Sequence, residues 1–121
     1  MAQSARVAEY LETGLQAASL RQSVIAHNIA NVGTPGFRRS TVPFERVFAE
    51  AMAGGKPVDR EMLLGQIVQP HATDVNEFGS DVEIEGEIGD LIKNSMRYKA
   101  YARLLSRMYR QMELAMSANT P

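Results

Sequence analysis

The chain has no cysteine and only two histidines, His27 and His71. Without thiols it can form neither a disulfide framework nor a thiolate metal site. Neither histidine has a second ligand at metal spacing, and neither has the partners of a catalytic triad. There is no glycine-rich phosphate loop, no helix pairing histidine with carboxylate, and no nucleophile beside a base. The sequence therefore reads as a non-enzyme that needs no cofactor and no metal. Also missing is a charged N-terminal segment leading into an apolar core and a cleavage site, and no apolar run is long enough to cross a bilayer. Classical secretion and direct membrane insertion are disfavoured, while export without a cleaved signal is left open. Charge of one sign is lacking as well: the net charge is −1 on 121 residues, with 45% hydrophobic content. That balance removes disorder and general attraction to nucleic acid as defaults. The length is one domain's worth.

Proline is absent from Ser80 to Ser117, where the strongest pattern lies. Steps of three and four place Ile84, Ile88, Leu91, Ser95, Tyr98 and Ala102 on one seam, continued by Leu105, Tyr109, Met112 and Met116. The pattern holds for roughly five turns of a seven-residue repeat. A helix over this stretch spans about 55 Å, more than a compact domain of this size needs, and so points to lengthwise packing against other helices. Ser80-Asp81-Val82-Glu83 fits a capping box at its start. Asp81, Glu83, Glu85, Glu87 and Asp90 crowd the positive end of the helix dipole, with the basic residues Lys93 to Arg110 following. Gly86 and Gly89 weaken that start by about 1 kcal/mol each relative to alanine.

A second long helix runs from about Ser4 to Val32, with Ala8, Leu11, Leu15, Ala18, Gln22, Ile25, Ile29 and Val32 on a matching seam. Tyr10, Ala17, Leu20 and Val24 form a further stripe on nearly the opposite face. A surface helix ordinarily has one apolar side, so this surplus is expected to face neighbouring chains. Gly33 suits a left-handed cap with Pro35 just beyond it. Thr34-Pro35-Gly36-Phe37 suits a type II turn, with proline second and glycine third. Arg38 to Pro43 reads as extended and Phe44 to Met52 as a short amphipathic helix. From Gly54 to Gly79 the pattern is that of a loop region, with room for a short strand at Leu64 to Val68.

Three local features have plainer explanations than binding. Asp74 to Gly79 with Glu85 imitates a calcium loop, yet Phe78 stands where an oxygen ligand belongs and Pro70 spoils the entering helix. The basic residues between Lys93 and Arg110 lie off the seam, scattered around the outer face with Glu113 and the acidic first turns nearby, as on a solvated or subunit-facing surface. Met96, Met108, Met112 and Met116 suit irregular packing gaps.

The stretch Arg21-Gln22-Ser23-Val24-Ile25-Ala26-His27-Asn28-Ile29-Ala30-Asn31-Val32-Gly33-Thr34-Pro35-Gly36-Phe37 resembles the N-terminal signature of flagellar axial proteins. Asn94-Ser95-Met96-Arg97-Tyr98-Lys99-Ala100-Tyr101 is similar to a segment of the basal-body rod family of the FlgB (proximal rod) type. The resemblance covers the first fifty or so residues and roughly the last forty, and none of the middle. It implies a structural rod subunit of the flagellar basal body, exported without a cleaved signal peptide. Implied partners are copies of itself, other rod proteins, FliE, the MS-ring and export-gate proteins, with no nucleic acid. The expected fold is all-α, two long terminal helices pairing as a coiled coil. Residues 1–33 form the first helix, 34–79 a turn, extended and loop region, and 80–121 the last helix, as one structural domain. The seam residues Leu11, Leu15, Ile25, Ile29, Leu91, Tyr98, Leu105, Tyr109 and Met112 carry assembly. Asn28, Asn31, Thr34, Pro35, Gly36 and Phe37 form the turn. Two alternatives stay open: another rod subunit such as FlgC, and a free helical hairpin acting as a chaperone or regulator.

Overall fold

The computed structural model describes residues 2–54, 60–71 and 74–118. Among the described residues four helices follow in order: α1 (Ala2–Ala30), α2 (Phe44–Gly54), α3 (Arg60–Leu64) and α4 (Ile84–Ala118). Among the described residues there is no sheet, only a single antiparallel bridge between Thr41 and Val68, at the edge of the short strand expected there. The all-α class and the two long terminal helices are thus as the sequence implies. α1 and α4 run antiparallel. Moving up α4, Glu87 meets Asn28, Asn94 meets Gln22 and Ala18, Tyr101 meets Gly14, and Leu105 packs with Leu11 and Ala8.

α1 buries the seam expected of it, with Ala8, Leu11, Ala18 and Ile25 buried and Leu15, Ile29 and Val32 half-buried. Its second stripe differs from expectation. Ala17 and Val24 are buried in a cluster with Val42, Phe44, Val47 and Leu63, and Leu20 and Phe48 pack against it. Tyr10 stacks on Phe48 with ring centroids 4.6 Å apart. The stripe is closed by the chain's own middle and does not wait for a neighbouring chain. The reason lies in α2, whose apolar side of Phe44, Val47 and Phe48 needs a surface and finds it on α1. Leu63 of α3, in the region expected to be loop, completes the cover.

The α4 seam is turned relative to expectation. Its buried residues are Glu87, Asn94 and Leu105, with Leu91, Tyr101, Met108 and Met112 half-buried. Glu87, Asn94, Tyr101 and Met108 recur every seven residues and join the expected seam, of which Ser95 and Ala102 are half-buried while Ile88 and Tyr109 are exposed. Leu91, Ser95, Ala102, Leu105 and Met112 belong to both seams. Tyr98 and Tyr109 lie at the margin, exposed on one side. Apolarity alone favoured the other rotation. Polar groups with partners waiting on α1 and the 37–40 segment hold this one.

Both helix-end expectations need correction. α1 closes through tight turns, with Asn31 N–H donating to His27 O and Asn28 O (both 3.2 Å) and Val32 N–H to Ile29 O (3.3 Å). These turns satisfy the last carbonyls, so no left-handed residue is needed and Gly33 is not one. α4 begins at Ile84, with Glu87 N–H donating to Glu83 O at 2.9 Å. Ser80 Oγ accepts instead from Val82 N–H at 3.2 Å, and Asp81 is drawn to Arg39. The capping box therefore does not form.

Gly14 marks the closest approach of the long helices. A Cβ there would lie 2.8 Å from the Tyr101 ring. Glycine inside a helix costs about 1 kcal/mol relative to alanine, and here the cost lets the ring lie flat on the α1 backbone. Gly14→Leu is expected to drive Tyr101 off α1 and lower the thermal midpoint by about 5 °C or more, read by circular dichroism. An unchanged midpoint would show the crossing to be loose.

Candidate functional site

The turn motif is the core of a polar node that fixes how the two long helices meet. Asn28 is 0% exposed. Its side-chain amide exchanges two bonds with Ser40, donating to Ser40 O at 2.8 Å and accepting from Ser40 N–H at 2.9 Å. It thus holds the chain after the turn as one peptide group holds another across a ladder. A further Asn28 N–H reaches Glu87 Oε2 at 3.2 Å. Glu87, only 2% exposed, accepts from Arg39 Nε at 2.6 Å. Asp81, also buried, accepts from Arg39 N–H at 2.6 Å and lies 3.6 Å from the Arg38 guanidinium. Two buried carboxylates, two arginines and one asparagine thus tie the end of α1 to the start of α4. Buried charge is tolerated when paired and hydrogen-bonded. Both Glu87 oxygens meet that condition, whereas Asp81 Oδ2 makes no hydrogen bond and faces only the Arg38 guanidinium.

The turn forms as its residues dictate. Gly36 has φ 76 and Phe37 N–H donates to Thr34 O at 3.1 Å, the type II geometry that requires glycine in third place. Asn31 donates to His27 O at 2.8 Å and accepts from Thr34 Oγ1 at 3.0 Å, so it braces the turn from the helix side. Phe37 is half-buried edge-on to His27. Thr34, Pro35 and Gly36 are exposed. A second glycine with positive φ, Gly79, lies next to Gly36, and Gly36 N–H donates to Phe78 O at 2.8 Å. Asn76 spends its Oδ1 on Phe78 N–H and Ser80 N–H at 2.9 and 3.1 Å. The segment imitating a calcium loop is thus folded around its own asparagine.

Arg39, Asp81, Glu87, Asn94 and Asn76 all escape a reading that looks for apolar periodicity. Asn94 donates to Ala18 O at 2.8 Å and Gln22 Oε1 at 2.7 Å. Gln22 in turn donates to Ser95 Oγ at 3.1 Å. The available signal was spacing: Glu87 and Asn94 sit seven apart, facing Asn28 and Gln22 on α1.

Farther along, Phe44 at the start of α2 has two guanidiniums over its ring, Arg21 at 5.0 Å and Arg97 at 4.7 Å from the centroid. This joins α1, α2 and α4 through one ring. Burial, then the like charge of Arg97, lowers the Arg21 pKa. Burial raises that of Tyr101, whose ring lies against Gly14 and near Phe48, although Arg97 opposes the shift. Tyr109 is raised by donating its hydroxyl to the Glu12 carboxylate. A phenol whose folded value lies above its unfolded value of about 10 contributes fully below that pH, and the contribution is lost as pH rises through the folded value. Tyr101→Phe with Tyr109→Phe should therefore flatten the fall in thermal midpoint above about pH 10. A decline as steep as that of the parent would assign it elsewhere.

The described residues include no group of histidine and acidic side chains able to hold a metal ion, and no described helix is long and apolar enough to cross a membrane. What the molecule offers outward is α4. Ile92 and Met96 are 57% and 67% exposed, and Ile88, Leu104 and Leu114 are exposed too.

Residues 9–38 match the family model described as flagella basal body rod protein. A flagellar basal body rod protein FlgB from Borrelia hermsii is 30% identical over 118 residues, covering 83% of this chain and 87% of the relative. The chain belongs to the FlgB family of flagellar basal-body rod proteins. FlgB proteins of Borreliella burgdorferi and Bacillus subtilis are 26% and 22% identical, covering 92% and 88% of this chain and 96% and 90% of the relatives. As a FlgB-family member the chain is a structural component of the basal-body rod, which self-assembles with other rod components. Neither the FlgC reading nor the free hairpin regulator is favoured. The family match ends at residue 38, inside the node.

Proposed function

We propose that the chain is a helically stacking subunit of the proximal rod, joined to its neighbours by faces of its terminal helices, and that it performs no catalysis. The observation carrying this reading is the outward side of α4, where Ile92 and Met96 stand exposed on a helix of 35 residues while the chain's own core is closed without them. Apolar surface of that extent on a folded chain marks a contact with other proteins. The seam residues from Leu11 to Ile29 and from Leu91 to Met112 shape the subunit, and the Asn28–Phe37 turn sends the chain away from the helix pair. The neighbours are further copies and other rod proteins, with FliE, the MS-ring and the export gate at the cell-proximal end. The place is the periplasmic stretch of the basal body, reached through the flagellar export apparatus. Deletion of the gene followed by complementation tests the assignment. The wild-type chain should restore swimming and co-purify with hook–basal bodies. Swimming in the deletion strain, or absence of the chain from purified basal bodies, would overturn it.

A further inference from the structure

From Ile84 to Met116 every fourth residue of α4 is apolar, beginning Ile84, Ile88, Ile92, Met96, Ala100 and Leu104 and ending in three methionines. A step of four advances a helix about 40° beyond a full turn, so this row winds around α4 and does not face one neighbour. Ile92 and Met96 point away from the buried Asn94–Leu105 side. Met108 returns to α1, packed on the Ala8, Leu11 and Leu105 cluster. Rows spaced by four are the ridges through which helices interlock at about −50°. The pairing with α1 uses the three-four seam, so the exposed part of the ridge is left for a different neighbour. On the same outward side stand Lys99, Arg103 and Arg107, all exposed and in no ion pair among the described residues.

The opposite chemistry occurs at the turn end of the molecule. Val75 and Phe78 are 47% and 49% exposed, interleaved with Asp74 and Glu77, also exposed and in no ion pair among the described residues. The bonds from Asn76 and Gly36 hold this segment as a fixed knob. It adjoins the start of α4, and Arg103 lies about five helical turns farther on, so the knob and the basic ridge of one molecule cannot meet.

We propose that the Asp74–Phe78 knob of one copy docks on the Ile92–Arg107 face of α4 in the next copy, apolar against apolar and acid against base. The contact joins two different patches, so it does not close on a two-fold axis and it propagates from copy to copy. It rests on the rod-subunit reading and supplies the mate which that reading requires.

The test places a photo-reactive phenylalanine at Met96, mixes this chain with isotopically labelled chain, and maps the conjugates by mass spectrometry. Met96 is expected to join residues 74–78 of the labelled copy, with a yield falling several-fold between about 50 and 500 mM salt. Asp74→Lys with Glu77→Lys should lower the yield about fivefold or more, as should Arg103→Glu with Arg107→Glu. Pairing a labelled knob variant with a ridge variant carrying the photo-reactive group should restore it. All four positions are exposed, and an unchanged helical circular dichroism signal verifies that each variant folds. Conjugates to any other face, no conjugate between copies, or no restoration would overturn the contact. The two ideas fail separately. Swimming without the gene sinks the rod assignment, whereas normal swimming of the Asp74→Lys, Glu77→Lys strain sinks only this contact.

Discussion

Replacing Arg39 with alanine is expected to cost about 3–5 kcal/mol of stability, the range for breaking a buried ion pair. The cause is the state in which it leaves Glu87. That carboxylate is 2% exposed and would keep only its bond from Asn28, at 3.2 Å. Asp81 would keep the backbone bond from residue 39 and the more distant guanidinium of Arg38. A domain whose whole stability is about 5–15 kcal/mol would lose a large part of it, read as a lower midpoint in urea. The double variant Arg39→Met, Glu87→Leu should recover much of the loss, because two apolar residues replace a pair whose desolvation is costly. If Arg39→Ala costs under about 1 kcal/mol, the value of an exposed pair, the node is solvated and does not govern how the helices meet.

Leu105→Asp should abolish rod assembly and swimming while expression stays intact. Leu105 is 8% exposed and forms the centre of the far cluster with Ala8 and Leu11, flanked by Leu15, Tyr101 and Met108. Truncating such a leucine costs about 2–5 kcal/mol, and a carboxylate without a partner adds its desolvation. The variant's α1 and α4 would separate at that end, away from the node. Full swimming with normal incorporation into basal bodies would show that the seam is dispensable.

Leu105 is also where sequence and structure agree most closely. It lies on both the expected and the observed seams of α4, as do Leu91 and Met112. The α1 seam was legible throughout because its apolar residues are the ones buried. The turn was legible because Thr34-Pro35-Gly36-Phe37 allows little else. The rotation of α4 was not legible, since it depends on Glu87 and Asn94 finding partners far away in sequence. Hydrophobic spacing assigns such residues to the surface. The cover over Ala17 and Val24 was missed for a related reason. α2 was legible as a short amphipathic helix but not the surface it would dock on, and α3, five residues long, is too short for periodicity to announce it. Asp81 read as part of a cap because a local role was available, and the distant Arg39 took it.

The placement of the node gives the helix pair a mechanical character. Its buried polar ties gather where α1 ends and α4 begins, and the far end is joined by Ala8, Leu11 and Met108 with one exposed bond from Tyr109 to Glu12. An antiparallel pair clamped in this way behaves as a cantilever. It is stiff at the root and compliant at the tip, so a bending load is absorbed at the ends of the chain while the root keeps its angle.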